Sequence, residues 1–166
     1  MLFVSWRRWA DLIVDYGREV YVPWQLSHGS LLYRDIASFY GPLSNYWNSL
    51  LFRVFGESIL SIQLFNILLI ALLAYIIYRF FESEDEPLAP TVISIAFIVL
   101  FALGKHFNLG SYNYVAPYSH ELVHGVSLAF AAIYFFKLFN KKQKPVRAFL
   151  TGLFTGLVLL AKMEIA

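Results

Sequence analysis

The chain has 166 residues, 59% of them hydrophobic and only 14% charged, with 16 phenylalanines and a mean hydropathy of +0.60. Soluble domains carry roughly 25% charged residues, so this composition points to a membrane protein. A net charge of +2 is too small to suggest nucleic acid as a partner, and the lack of cysteine excludes disulfides and thiolate metal sites.

The opening residues, MLFVSWRRWAD, have too short an apolar run before Arg7 and Arg8 to fit a signal peptide. From Asp15 to Leu43 runs DYGREVYVPWQLSHGSLLYRDIASFYGPL, with three carboxylates, two arginines and a histidine in an otherwise apolar chain. Next, Leu43, Tyr46, Trp47, Leu50, Leu51, Val54 and Phe55 recur at steps of three and four, while Ser44, Asn45, Asn48, Ser49 and Arg53 fill the other face. This spacing predicts an amphipathic helix over 43–55, about 20 Å long. Pro42 suits its first turn and Gly56 its C-terminal stop. An aromatic-rich face just ahead of a long apolar run places this helix in a membrane interface; the competing expectation is a helix packed in a protein core.

Four apolar runs follow, and a span needs about 20 residues. They predict transmembrane helices at about 58–79, 88–104, 121–138 and 147–166. The fold class expected is therefore all-α, a multi-pass membrane protein whose first 57 residues form a loop carrying the amphipathic helix. Lys137, Lys141, Lys142, Lys144 and Arg147 cluster between the third and fourth runs, which makes that loop cytoplasmic. Alternation then puts residues 1–57 and the loop 105–120 on the outer face, and the acidic tract ESEDEP at 82–87 inside; the five arginines of residues 1–57 weigh against this assignment.

Two polar loops thus share the outer face, one with Asp15, Arg18, Glu19, His28, Arg34 and Asp35, the other KHFNLGSYNYVAPYSHE. Lys162 lies 15 residues beyond Arg147, about 22 Å up the last helix, so Lys162 and Glu164 approach the same face. Ionisable groups at that depth serve a site or snorkel to the interface. Gly152 and Gly156 form a small-xxx-small pair that predicts close helix packing. His120 and His124 share one helix face; a metal there would need a third ligand such as Glu121, and a hydrogen-bonded pair is the commoner outcome. No phosphate-cradling glycine loop, HExxH or GxSxG is present.

The segment DYGREVYVPWQLSHGSLLYRDIASFYGPLSNYWNSLLFRVFG resembles the first outer loop of GT-C membrane glycosyltransferases, the polyprenyl-phosphate-sugar-dependent enzymes. The bacterial mannosyl/galacturonosyl transferase-like group is nearest, with the protein O-mannosyltransferases and the lipid A aminoarabinose transferase more distant. Asp15 stands for the acid after the first span. Gly29, Leu32, Tyr33 and Asp35 form the G-x-x-L-Y-x-D turn, Gly41, Pro42 and Leu43 open the interfacial helix, and Phe55 with Gly56 closes it. YVAPYSHELVHG and LLAKMEIA are similar to later segments. Those enzymes have a span before the acid and many more after this point, so the resemblance implies an N-terminal fragment.

The resemblance implies transfer of a sugar from a polyprenyl-phosphate donor to a glycan, lipid or protein acceptor, in contact with membrane lipid, at the outer face of the bacterial cytoplasmic membrane. It makes Asp15 the general base. A phosphate leaving group needs no acid, only a cation to hold its charge, and Arg18, Arg34 and Lys162 are candidates. Glu19 and Asp35 would bind sugar hydroxyls or orient the arginines, with a local salt bridge as the plainer role for Asp35 beside Arg34. His120 and Glu121 complete the substrate-binding set. No metal ligands are assigned, and the need for a divalent cation is left open. Two other readings compete: a transporter-like module using Lys162, Glu164 and Glu121 as intramembrane charges, and a non-catalytic membrane assembly module.

Overall fold

The computed structural model describes Ala10, Ile13 and residues 16–83, 85–104 and 113–165. Among these the chain is all-helical, with no β-pairing beyond one bridge between Leu32 and Ile36. The helices are α1 (Tyr16–Ser27), α2 (Leu43–Phe55), α3 (Ile59–Phe81), α4 (Ala89–Ala96), α5 (His120–Lys141) and α6 (Pro145–Ala161). A π-helical stretch, Phe97–Ala102, continues α4, and a 3-10 turn, Met163–Ile165, follows α6.

Helix α1 corrects the expectation of a loop. Pro23 lies within it and removes a backbone donor, which normally costs a helix about 3 kcal/mol. Tyr16, Glu19, Val22, Pro23 and Leu26 nevertheless form one buried stripe, so packing against the rest of the chain outweighs the proline.

Helix α2 has the expected bounds, and the face it buries is mainly the polar one. Its buried residues are Ser44, Asn45, Asn48 and Ser49 with Leu51 and Phe52, while Tyr46, Trp47, Leu50, Val54 and Phe55 are exposed. Gly56 ends the helix at φ +88°, a backbone region that side chains with a Cβ rarely adopt. Helix α3 is capped by the Ser58 hydroxyl accepting from the Leu60 N–H at 3.2 Å, and its buried side is mainly apolar, with Ile62, Ile70, Leu73, Ala74 and Ile77. Gln63 and Asn66 are buried, and Leu64, Leu68, Leu72 and Tyr75 face outward.

Among the described residues two helices, α3 and α5, are long and apolar enough to cross a membrane. The other two expected spans are shorter. The run at 88–104 changes from α to π at Phe97, and the run at 147–166 stops being α-helical at Ala161. Lys162 therefore sits just past the end of α6 in extended backbone, φ −157° and ψ 110°, where it had been expected inside the helix.

Helices α5 and α6 form an antiparallel hairpin. Its turn is tied by the Arg147 guanidinium, which donates to the carbonyls of Leu138 at 2.6 Å and Lys142 at 3.2 Å. The Lys137 ammonium caps the far end of α3 at the Phe80 carbonyl. Gly152 and Gly156, expected at a close helix contact, face open space: a Cβ on either would meet nothing within 4 Å. The close approach falls on Gly125 instead, whose Cβ would lie 2.7 Å from the Ile165 Cδ1. That contact brings the end of α6 to the start of α5.

Candidate functional site

The start of α5 is built on a buried carboxylate. Glu19 and His120 are 4% and 1% exposed, and Glu19 Oε2 accepts from the His120 backbone N–H at 2.7 Å and its ring Nδ1 at 3.0 Å. A carboxylate at the first turn of a helix meets free N–H groups and the positive end of the dipole. Glu19 Oε1 takes the Arg18 guanidinium at 2.8 Å. Burial opposes ionisation of Glu19, but the hydrogen bonds from His120 and Arg18 outweigh it and hold the carboxyl below its usual range.

A second buried carboxylate lies one residue along α5. Glu121 accepts from Asn45 Nδ2 of α2 at 3.0 Å and from the Ser119 hydroxyl at 2.9 Å. One turn on, His124 Nδ1 meets the Ser44 hydroxyl at 3.0 Å. The polar face of α2 is thus turned inward because α5 presents it with a carboxylate and an imidazole to satisfy. The His120 and His124 rings lie 5.8 Å apart, each with its Nδ1 engaged elsewhere. Among the described residues no three His, Asp or Glu side chains are grouped to hold a metal ion.

At the rim the Tyr40 ring collects two cations from opposite ends of the sequence. Lys162 Nζ is 4.6 Å from the ring centroid and the Arg18 guanidinium carbon 5.9 Å. Gly41 holds this turn in place. Its N–H donates to the Ala161 carbonyl at 3.2 Å, and a Cβ there would lie 2.0 Å from the Leu160 carbonyl oxygen. Lys162 also pairs with Glu164 at 3.2 Å. Beside the rim an open apolar groove of about 350 Å³ runs along Pro42, Leu43, Tyr46, Trp47, Leu50 and Leu160.

The structure therefore brings Arg18, Glu19, His120 and Lys162 to one place, with Glu121 beside them. It keeps Arg34 and Asp35 apart. They pair with each other at 2.8 Å, and Asp35 also accepts the Leu31 N–H at 2.8 Å, which closes the Gly29–Asp35 turn. The Arg34 hydrogen bond and the Leu31 N–H hold the Asp35 carboxyl at about 2. Tyr33, at φ +68°, completes the turn by donating its hydroxyl to the Tyr40 carbonyl at 2.5 Å. Asp15 lies outside the described residues, as does the segment 105–112 of the second polar loop.

Sequence reasoning passed over Tyr40, Asn45 and Asn66. Asn66 had a signal, since it is an amide in the middle of an otherwise apolar run; Tyr40, one of 11 tyrosines, had none. No protein-family model matches the chain, no curated protein matches it, and no solved structure matches it.

Proposed function

We propose that the chain is part of a multi-pass membrane glycosyltransferase that moves a sugar from a polyprenyl-phosphate donor to a glycan, lipid or protein acceptor at the outer face. The membrane reading is supported by α2, which turns Ser44, Asn45, Asn48 and Ser49 inward and Tyr46, Trp47, Leu50 and Phe55 outward, and by the length and apolar character of α3 and α5. The catalytic reading rests on the rim. The Tyr40 ring gathers two cations, Arg18 paired with Glu19 and Lys162 paired with Glu164, at a rim that suits an anion, and an apolar groove starts beside them. Phosphate joined to a long hydrocarbon tail has that pair of properties.

In this reading Arg18 and Lys162 take up the charge that builds on the phosphate as the bond from the anomeric carbon to its oxygen breaks. The acceptor oxygen forms the new bond to that carbon through an oxocarbenium-like state, and its proton passes to Asp15. Glu19 orients Arg18. The test is consumption of a radiolabelled polyprenyl-phosphate sugar by the full-length protein in membranes. Transfer is expected with the native protein and lost in Asp15→Asn. No consumption of lipid-linked sugar would overturn the enzyme reading, and an unaffected Asp15→Asn would overturn the choice of base.

A further inference from the structure

Asn66 is fully buried on α3, nine residues beyond Glu57, the nearest charge in sequence, yet in contact with the Glu19 cluster. Its Nδ2 lies 3.0 Å from the Val115 carbonyl oxygen and 3.1 Å from His120 Nε2. A backbone carbonyl only accepts, so it requires the nitrogen of the amide to face that way. The same nitrogen, with its second hydrogen, then donates to His120 Nε2. A ring nitrogen that accepts carries no proton, so the ring proton is on Nδ1, where it is given to Glu19 Oε2. Among the described residues the buried Asn66 Oδ1 has no partner, so no donor there turns the amide over.

We infer that Asn66 is a positioning residue: it fixes His120 as the neutral imidazole protonated on Nδ1, and so leaves the Glu19 charge to Arg18. An imidazolium at this position would neutralise Glu19 and set the Arg18 guanidinium free to leave the Tyr40 ring. The functional consequence rests on the reading of Arg18 as a phosphate cation; the tautomer itself does not.

The test is a long-range proton–nitrogen correlation spectrum of the full chain, labelled with ¹⁵N-histidine, in detergent micelles at neutral pH, with His120 assigned from the spectrum of His120→Gln. A protonated Nδ1 and an unprotonated Nε2 are expected. A proton on Nε2, alone or together with Nδ1, overturns the inference, and this measurement needs no variant of Asn66 to fold. In Asn66→Asp the new carboxylate accepts instead of donating, so the unprotonated Nε2 signal should vanish; its survival there would also overturn the assignment. Because the spectrum is recorded without substrate, its outcome is separate from whether sugar transfer is found.

Discussion

Gly41→Ala tests how the rim is assembled. The added Cβ would sit 2.0 Å from the Leu160 carbonyl oxygen, 2.5 Å from its carbon and 2.9 Å from the Ala161 carbonyl oxygen. All three atoms are backbone at a helix end, so no rotamer change relieves the clash, and the turn must retreat by about 1.4 Å to reach ordinary contact. Overpacking of this kind costs about 1–3 kcal/mol. The retreat also breaks the Gly41–Ala161 hydrogen bond, about 0.5–1.5 kcal/mol more. A total of about 2–4 kcal/mol, at about 2–4 °C per kcal/mol for a chain of this length, lowers the melting temperature by at least about 4 °C. Thermal unfolding of the purified chain in a fixed detergent measures it. A second readout follows Lys162, whose side chain is 11% exposed under Tyr40 and should become faster to acylate. A variant that melts within about 1 °C of the native chain, with Lys162 no more reactive, would refute the close approach of the turn to the end of α6.

Gly152→Ala and Gly156→Ala make the contrasting case: with nothing within 4 Å of either Cβ, each should stabilise α6 by about 0.5–1 kcal/mol in the same melts, and a loss would mean a packed neighbour at that face. Asp35 should titrate at about 2 by carboxyl-carbon NMR. Its folded value is depressed, so its hydrogen bonds hold above the ordinary aspartate value and fail only as pH falls through about 2; a midpoint near 3.9 would mean that the turn is open. Glu19→Gln should destabilise the fold by about 1–3 kcal/mol, since the buried His120 Nδ1 loses a charged acceptor. The Glu19 carboxyl is also depressed, so its contribution is full above the ordinary glutamate range and lost on acidification. Unfolding measured against pH should therefore show a shallower acid decline in Glu19→Gln than in the native chain, and parallel curves would refute the pairing.

The helices were legible where hydrophobic periodicity or length was strong. Leu43–Phe55 matches the expected bounds, and Ile59–Phe81 and His120–Lys141 match to within a few residues. Periodicity defines two faces without saying which one is buried, so the inward turn of Ser44, Asn45, Asn48 and Ser49 needed their partners on α5. Helix α1 was hidden by Pro23, because its stability comes from residues distant in sequence. Counting residues along a helix placed Lys162 toward the face of the first polar loop, but the helix ends one residue before it, and the Tyr40 ring it meets gave no signal. Arg34 and Asp35 form the same Arg-acid dipeptide motif as Arg18 and Glu19, with a salt bridge already the plainer role for Asp35; geometry separates the turn-closing pair from the one whose carboxylate is buried. Tyr40 was illegible, since a cation held over a ring leaves no spacing pattern.

The bond between Glu19 and His120 also sets an order of events during synthesis. Its partners are 101 residues apart, and Gly41 waits still longer for the carbonyl of Ala161. At about 5–20 residues per second the ribosome leaves Glu19 without its imidazole for about 5–20 s. The first polar segment thus has only Arg18 to answer the Glu19 charge while α3 is made, and its packing is completed only when α5 supplies the histidine and the end of α6 closes over Gly41.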